Sequence, residues 1–342
     1  MLTPTRQRVF DPMTFLWDQY DRTPRSHAYT AKTPEEHVKW EQELREKVVE
    51  LLGGFPTEDM PLVPEIVEER EFPDYIRQRV VFESRPNMSI PAYLLLPKNT
   101  TGKIPAIVCL SGHGPGNHTI VGYDDDGNPR DELGGYQMDF PIQAVRKGYA
   151  ALAMEQLAFG ERNSDDDRCK GCNTPSVDAL MLGMTMIGLR VWDTRKGLDY
   201  LSSRDEIDAD RLGVMGISGG GTSTLWTAAV DTRVKAAMVS GYLCTFRDSI
   251  MPMSHCVDNY VPGILKHAEM YDLASLIAPR ALFAESGTKD GIFPYKASIH
   301  AYEQAKRAWD TLGVPDKIGH EVFEGEHSFY GKGGFDFLEK WL

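Results

Sequence analysis

The sequence predicts an α/β fold, with a mostly parallel central sheet, helices on both faces and a helical extension at the N-terminus. Two strand-like segments flank a turn, and beyond them short apolar runs alternate with runs of helical periodicity. Strands that alternate with helices pair in parallel, because each helix returns the chain to the same end of the sheet. The 342 residues are 42% hydrophobic and 25% charged, which suits a soluble protein with a large core.

The first 72 residues contain one strong helical segment, residues 34–52. Thr33 is placed to cap it, Pro34 takes the first helical position, and Gly53 and Gly54 end it. We therefore predict an N-terminal helical extension, residues 1–72, that packs on a main domain of residues 73–342.

The main domain is predicted to open with a hairpin and then to alternate. Strands are predicted at 75–83, 88–96, 104–110, 148–154, up to residue 216, 234–240, 281–285 and 318–323. Helices are predicted at 140–147, 184–203, 222–230, 296–312 and 335–342. Ligands of such sheets bind beyond the carboxyl ends of the strands, so polar residues directly after strands are the candidates for a site.

The stretch 212–221 reads Leu-Gly-Val-Met-Gly-Ile-Ser-Gly-Gly-Gly and joins a strand to a helix. It contains G-x-S-x-G, the pattern of a nucleophile elbow, with Ser218 in the turn. Glycines on both sides let the backbones pass closely, and the helix N-terminus favours negative charge near the hydroxyl. The alternative is a glycine-rich turn without a catalytic role.

Two further polar residues follow strands, in the order Ser, Asp, His. Asp290 follows the strand at 281–285, and His327 follows the strand at 318–323. Histidine can take the serine proton near neutral pH, and a carboxylate can orient the imidazole. We predict Ser218, Asp290 and His327 as a catalytic triad, with Glu285 as the second choice for the acid.

Acyl transfer also needs N–H donors for the oxyanion. One predicted donor is the amide of Gly219, which follows the nucleophile. The other comes from Ser-Gly-His-Gly at 111–114, where we assign His113; a shift of one residue would make it Gly112 or Gly114.

These motifs resemble the dienelactone-hydrolase-related, acetylxylan-esterase-like branch of the α/β-hydrolases, over residues 75–342. The resemblance rests on Ser-Gly-His-Gly at 111–114, Phe-Gly-Glu-Arg-Asn at 159–163, Gly-Ile-Ser-Gly-Gly-Gly at 216–221, and the segments 255–263, 276–283 and 287–294. It implies an α/β-hydrolase fold and ester hydrolysis through an acyl-serine, without metal or organic cofactor. It also places a candidate lid at 241–275.

Several residues near these motifs are candidates for the substrate pocket. They are Gly114, Glu161, Arg162, His255, Cys256 and Asn259. For Glu161 and Arg162 the favoured alternative is a structural ion pair.

Composition bears on partners and location. The net charge of −13 argues against nucleic acid and against an anionic membrane surface as partners. The N-terminus lacks the apolar core of a signal peptide, and the five cysteines are sparse, so we predict a cytoplasmic protein. We expect the CxxC of Cys169 and Cys172 to lie in a surface loop rather than to bind zinc.

The sequence thus predicts a serine esterase that acts on small carboxylic esters, with short acyl groups such as acetyl and with sugars among the alcohols. A small-molecule ester is the expected partner, and a homo-oligomer is left open. The alternatives are a serine peptidase or acyl-peptide hydrolase, and a non-catalytic binding protein of the same fold.

Overall fold

A computed structural model describes residues 8–58, 60–130 and 133–342. Over these residues the helices are α1 Pro12–Arg22, α2 Pro34–Leu51, α3 Phe140–Arg146, α4 Asn173–Met181, α5 Met186–Ser202, α6 Gly219–Val230, α7 Phe246–Ser249, α8 Met270–Ser275, α9 Tyr295–Thr311 and α10 Lys332–Trp341. The strands are β1 Glu65–Glu71, β2 Tyr75–Arg85, β3 Met88–Pro97, β4 Ile104–Leu110, β5 Ala150–Met154, β6 Ile207–Ile217, β7 Val234–Ser240, β8 Ala281–Gly287 and β9 Ile318–Phe323.

In the described part of the chain, nine strands form one sheet in the order β1-β2-β3-β5-β4-β6-β7-β8-β9. The pairs from β1 to β5 along this order are antiparallel, and all later pairs are parallel. The predicted hairpin and the predicted parallel strands are therefore confirmed. The carboxyl ends of β4, β6, β8 and β9 lie at one edge, which is where the candidate site forms.

Two apolar cores cover the two faces of the sheet. One core joins the sheet to α2, α5, α6, α8 and α9 through side chains such as Leu44, Trp226 and Trp309. The other joins it to α3 and α10 through Phe140 and Phe335. The fold is thus a three-layer α/β sandwich, as the sequence predicts.

The sheet begins earlier than the predicted boundary at residue 72. Strand β1 lies within the segment predicted as a helical extension, and it pairs with β2 at the edge of the sheet. All seven of its residues, Glu-Ile-Val-Glu-Glu-Arg-Glu, are exposed. An edge strand with two solvated faces shows no apolar alternation, so its sequence carries no strand signal.

No helix in the described ranges is both long enough and apolar enough to cross a bilayer.

Candidate active site

The turn between β6 and α6 holds Ser218 in a strained conformation, with φ 57° and ψ −121°. Such a conformation costs on the order of 1–3 kcal/mol for a residue with a side chain and persists only where its surroundings enforce it. Here the Ser218 amide donates to the Ser240 carbonyl of β7 at 3.0 Å, and the Thr222 amide donates to the Ser218 carbonyl at 2.8 Å. These contacts hold the side chain at the carboxyl edge of the sheet.

Glycine is required beside this turn because α6 passes very close to β4. A Cβ atom on Gly220 would lie 1.8 Å from the carbonyl oxygen of Leu110, and one on Gly216 would lie 2.6 Å from the backbone of Gly220. The glycines of the G-x-S-x-G pattern thus allow the close packing that the elbow needs.

Replacing Gly220 with alanine should lower the free energy of unfolding by at least about 3 kcal/mol, because backbone would have to move to admit the methyl group. Urea unfolding followed by circular dichroism measures this. Gly291→Ala is the matched control, since a Cβ there meets nothing within 4 Å and its φ is not in the left-handed region. A Gly220→Ala protein as stable as the control would contradict the close approach.

Asp290 and His327 meet at the same edge. The Nδ1 atom of His327 lies 2.6 Å from Oδ2 of Asp290. The other carboxylate oxygen, Oδ1, accepts from the amides of Ile292 at 2.8 Å and Phe293 at 3.0 Å, which fixes the carboxylate. Nε2 of His327 is buried and has no hydrogen-bond partner among the described residues. The imidazole therefore has one nitrogen on Asp290 and the other available.

Glu285, the second choice for the acid, has a different position. Its two carboxylate oxygens accept from the amides of Tyr330 at 2.9 Å and Gly331 at 2.8 Å. Burial raises the pKa of Glu285. Glu285 therefore holds the segment that follows His327 through backbone hydrogen bonds. The carboxylate in contact with the imidazole of His327 is that of Asp290, not that of Glu285.

Ser218 and His327 line one cavity of about 380 Å³. Its other lining residues are His113, Tyr136, Met253, Ser254, His255, Cys256 and Ile292. His255 and Cys256 were among the predicted pocket residues. Tyr136, Met253, Ser254 and Ile292 were not. The first three belong to segments with no periodic pattern or motif, and Ile292 lies beside Asp290 in the segment 287–294.

The loop after β4 is held by three side chains. Gln156 donates to the Ser111 carbonyl, and Tyr136 donates to the His113 carbonyl at 2.7 Å. The Gly112 amide is engaged, since it donates to Oε1 of Gln137 at 2.7 Å. This contact argues against Gly112 as the oxyanion donor. Gly114 lines a neighbouring cavity with His113 and Tyr136.

His113 and Gly219 are adjacent, as an oxyanion pair must be. A Cβ atom on Gly219 would lie 3.0 Å from Nδ1 of His113. The His113 ring is engaged by Asp258: its Nε2 lies 3.0 Å from Oδ2 of that residue. Burial lowers the pKa of His113, but hydrogen bonds to Asp258 and Cys256 outweigh burial and raise it to about 9. The contacts of the ring leave the backbone amide as the group of His113 that can serve an oxyanion.

Four of the predicted pocket residues are absent from the lining of this cavity as the structure describes it, and one of them, Gly114, lines the neighbouring cavity instead. Glu161 is exposed and pairs with Arg79. Arg162 is buried, and its Nη1 atom lies 2.7 Å from Oδ2 of Asp193. Arg162 therefore forms a structural ion pair, but with Asp193 and not with its neighbour Glu161. Asn259 is buried as well, where it accepts from the hydroxyl of Thr222 on α6 at 2.9 Å. We leave these three out of the proposed site.

The buried carboxyl group of Glu155 contacts the segment that follows β4. Glu155 follows β5 and accepts from the Asn117 amide at 3.0 Å, while its Oε1 atom has no partner among the described residues. Burial raises the pKa of Glu155 from 4.5 to about 7. Because the folded protein holds this proton more tightly, the contribution of Glu155 to stability is full below pH 4.5 and is lost as the pH rises through 7.

Between about pH 5 and pH 8 the parent protein should lose on the order of 2 kcal/mol of stability through Glu155. The variant Glu155→Gln should not show this part of the loss. Urea unfolding at both pH values measures the change. Glu161→Gln is the control, because that neighbouring carboxylate has an exposed side chain and pairs with Arg79. Equal pH dependence in Glu155→Gln and the parent protein would contradict the assignment.

Sheet order, the strained serine after β6 and the Asp–His pair beyond β8 and β9 together define an α/β-hydrolase fold. The chain belongs to the Abhydrolase family, whose model matches residues 18–311. The predicted fold class and the predicted resemblance are confirmed by these findings.

One relative in sequence and two solved structures are similar to this chain over most of its length. "Putative hydrolase YtaP" of Bacillus subtilis (strain 168) is 30% identical over 312 residues, which cover 88% of this chain and 99% of that protein. A solved structure from Bacteroides fragilis, described as a "putative acetyl xylan esterase", superimposes with a TM-score of 0.81 at 18% identity, over 98% of this chain and 97% of that one. A glucuronoyl esterase from Solibacter usitatus gives a TM-score of 0.66 at 16% identity, over 93% and 98% of the two chains.

Proposed function

We propose that this protein is a serine esterase that cleaves small carboxylic esters through an acyl-serine intermediate. The observation that carries the proposal is the arrangement of His327, with Nδ1 on Asp290 and a buried, unpartnered Nε2 on a ring that lines the cavity of Ser218. An imidazole oriented in this way can accept the serine proton and return it to a leaving group.

In the proposed reaction, His327 takes the proton of Ser218 as the hydroxyl attacks the ester carbonyl. The tetrahedral oxyanion receives hydrogen bonds from the amides of Gly219 and of His113, and the helix N-terminus of α6 adds its dipole. His327 then protonates the departing alcohol, which leaves Ser218 acylated. Water, activated by the same histidine, attacks the acyl-enzyme and restores the serine.

We assign the substrate class from the cavity and the relatives. A cavity of about 380 Å³ whose exposed lining is mostly apolar suits a short acyl group such as acetyl. The solved structures that share the fold include esterases named for acetyl xylan and glucuronoyl substrates, which supports an ester of a sugar as the physiological substrate. The same arrangement would serve an amide, so a peptidase is the second candidate.

A substrate panel tests the assignment. It should vary the acyl group from acetyl to octanoyl on one alcohol, and the alcohol from p-nitrophenol to acetylated sugars, with acyl-peptides included and products read by mass spectrometry. We expect the highest kcat/KM for acetyl esters and slow or no cleavage of the peptides. Labelling by a fluorophosphonate, located at Ser218 by peptide mapping, separates an enzyme from a non-catalytic binding protein. An unlabelled Ser218 would overturn the proposal.

A further inference from the structure

A second cluster of reactive side chains lies at the wall of the cavity and has no role in the proposed reaction. It consists of His113, Cys172, Cys256 and Asp258, whose potential ligand atoms all lie within 4.8 Å of one another. The expectation of a surface loop for the CxxC is wrong for Cys172, which is only 7% exposed and turns into this cluster, whereas Cys169 lies outside it.

We propose that these four side chains bind one Zn²⁺ ion. Zinc takes four ligands in a tetrahedron, drawn from thiolate sulfur, imidazole nitrogen and carboxylate oxygen. Two cysteines, one histidine and one aspartate supply these donor types and the full number. The sequence alone did not predict the site, because the cysteines that meet here are not the two of the CxxC motif.

The distances fit the size of such a site. Bonds of about 2.0–2.3 Å place tetrahedral ligand atoms about 3.3–3.8 Å apart. Nε2 of His113 lies 3.5 Å from Sγ of Cys172 and 3.0 Å from Oδ2 of Asp258. No separation in the cluster exceeds 4.8 Å, so a shift of at most about 1 Å closes the ligands around the ion.

The charge of the bound site would also balance. Two thiolates and one carboxylate carry three negative charges, and the ion brings two positive charges. The remaining charge is met by Arg190, whose Nη1 atom lies 2.6 Å from Oδ2 of Asp258 and whose side chain is buried. A buried site with no net charge avoids most of the desolvation cost that an unpaired charge would incur.

Neighbouring polar and aromatic groups hold the ligands in place. Asn259 donates to Oδ1 of Asp258 at 2.8 Å, and Arg190 also donates to the Leu157 carbonyl. The His113 ring packs on Phe159 with a centroid separation of 4.6 Å. Such outer contacts orient ligands before the metal arrives. Because His113 and Cys256 also line the cavity of Ser218, the ion has an entry path from solvent.

Zinc here would join three segments that are distant in the sequence: the loop after β4, the start of α4, and the segment 253–259. One of them carries the proposed oxyanion donor and another carries His255 and Cys256 of the cavity wall. The ion would thus fix the shape of the wall. The proposal does not depend on the esterase reaction, because it concerns binding alone.

Cobalt and zinc titrations of the reduced, chelator-treated protein under anaerobic conditions test the site. We expect one equivalent of Co²⁺ to give thiolate-to-cobalt charge-transfer absorption and the visible bands of a tetrahedral ion, and Zn²⁺ to abolish both. Competition with a chromophoric chelator gives the zinc affinity. Cys172→Ser and Cys256→Ser should each weaken it at least about 100-fold, because each removes a ligand.

Cys169→Ser is the matched control and should bind like the parent, since Cys169 belongs to the same CxxC but not to the cluster. The cobalt spectrum of the unmodified protein decides the case even if a serine variant fails to fold. The proposal is overturned if that spectrum lacks thiolate charge transfer. It is also overturned if Cys256→Ser binds as tightly as the parent, or if the protein, kept reduced throughout, takes up no metal.

Discussion

Replacement of Ser218 by alanine should lower kcat for p-nitrophenyl acetate about 10⁶-fold, the scale of loss when a serine nucleophile is removed from a working triad. The change deletes only the attacking oxygen. The strained backbone at φ 57° should become no harder to adopt, because alanine and serine have the same Cβ constraint. Steady-state hydrolysis measures the loss, and circular dichroism with a thermal melt checks that the fold is kept.

Ser254→Ala is the matched control for this variant. Ser254 also lines the cavity, so its hydroxyl is accessible to a small ester, but it lies outside the turn between β6 and α6 and has no place in the proposed triad. We expect its kcat to change by less than about tenfold, as befits a contact outside the proposed triad. Turnover that survives in Ser218→Ala and disappears in Ser254→Ala would show that Ser254, and not Ser218, is the nucleophile.

Replacement of Asp290 by asparagine should lower kcat about 10⁴-fold with little change in KM. Asparagine keeps the size of the carboxyl group but can present an N–H to Nδ1 of His327, which favours the wrong tautomer of the ring. It also removes the negative charge that stabilises the imidazolium formed during attack. Because the 2.6 Å contact is the one seen on Nδ1, no other described carboxylate is placed to take over.

Glu285→Gln separates the two carboxylates considered for this role. If Asp290 orients His327, Glu285→Gln should keep kcat within about tenfold of the parent and lower the melting temperature, because Glu285 holds the amides of Tyr330 and Gly331. Kinetics and thermal melts of both variants are needed. A large loss of kcat in Glu285→Gln together with an active Asp290→Asn would reverse the assignment of the acid.

Sequence reasoning located the elbow and the Asp–His pair because their signals are local. The elbow is marked by glycines, and a Cβ atom on Gly220 would lie only 1.8 Å from the carbonyl oxygen of Leu110, so no other residue type fits there. Asp290 and His327 each come directly after an apolar strand, so the order of elements was enough to bring them to one edge.

Features that arise from long-range packing gave no such signal. The pairing of β1 with β2 depends on backbone hydrogen bonds at the edge of the sheet, and its side chains are solvated on both faces. Arg162 was considered with Glu161, its neighbour in the chain, yet it pairs with Asp193 of α5. Cys172 and Cys256 are 84 residues apart and meet only because two connecting segments fold over the same strand ends. Composition and periodicity do not indicate such long-range contacts.

The segment 253–256 and the proposed catalytic groups are held by different parts of the fold. Met253, Ser254, His255 and Cys256 line the cavity, but Ser218, Asp290 and His327 are fixed by strands β6, β8 and β9 and their own backbone contacts. In the proposed reaction, selectivity and reactivity therefore depend on different parts of the polypeptide. Met253 and Ser254 could be randomised to admit longer acyl chains or bulkier alcohols while the proposed triad stays intact, which makes this short segment the place to begin a library.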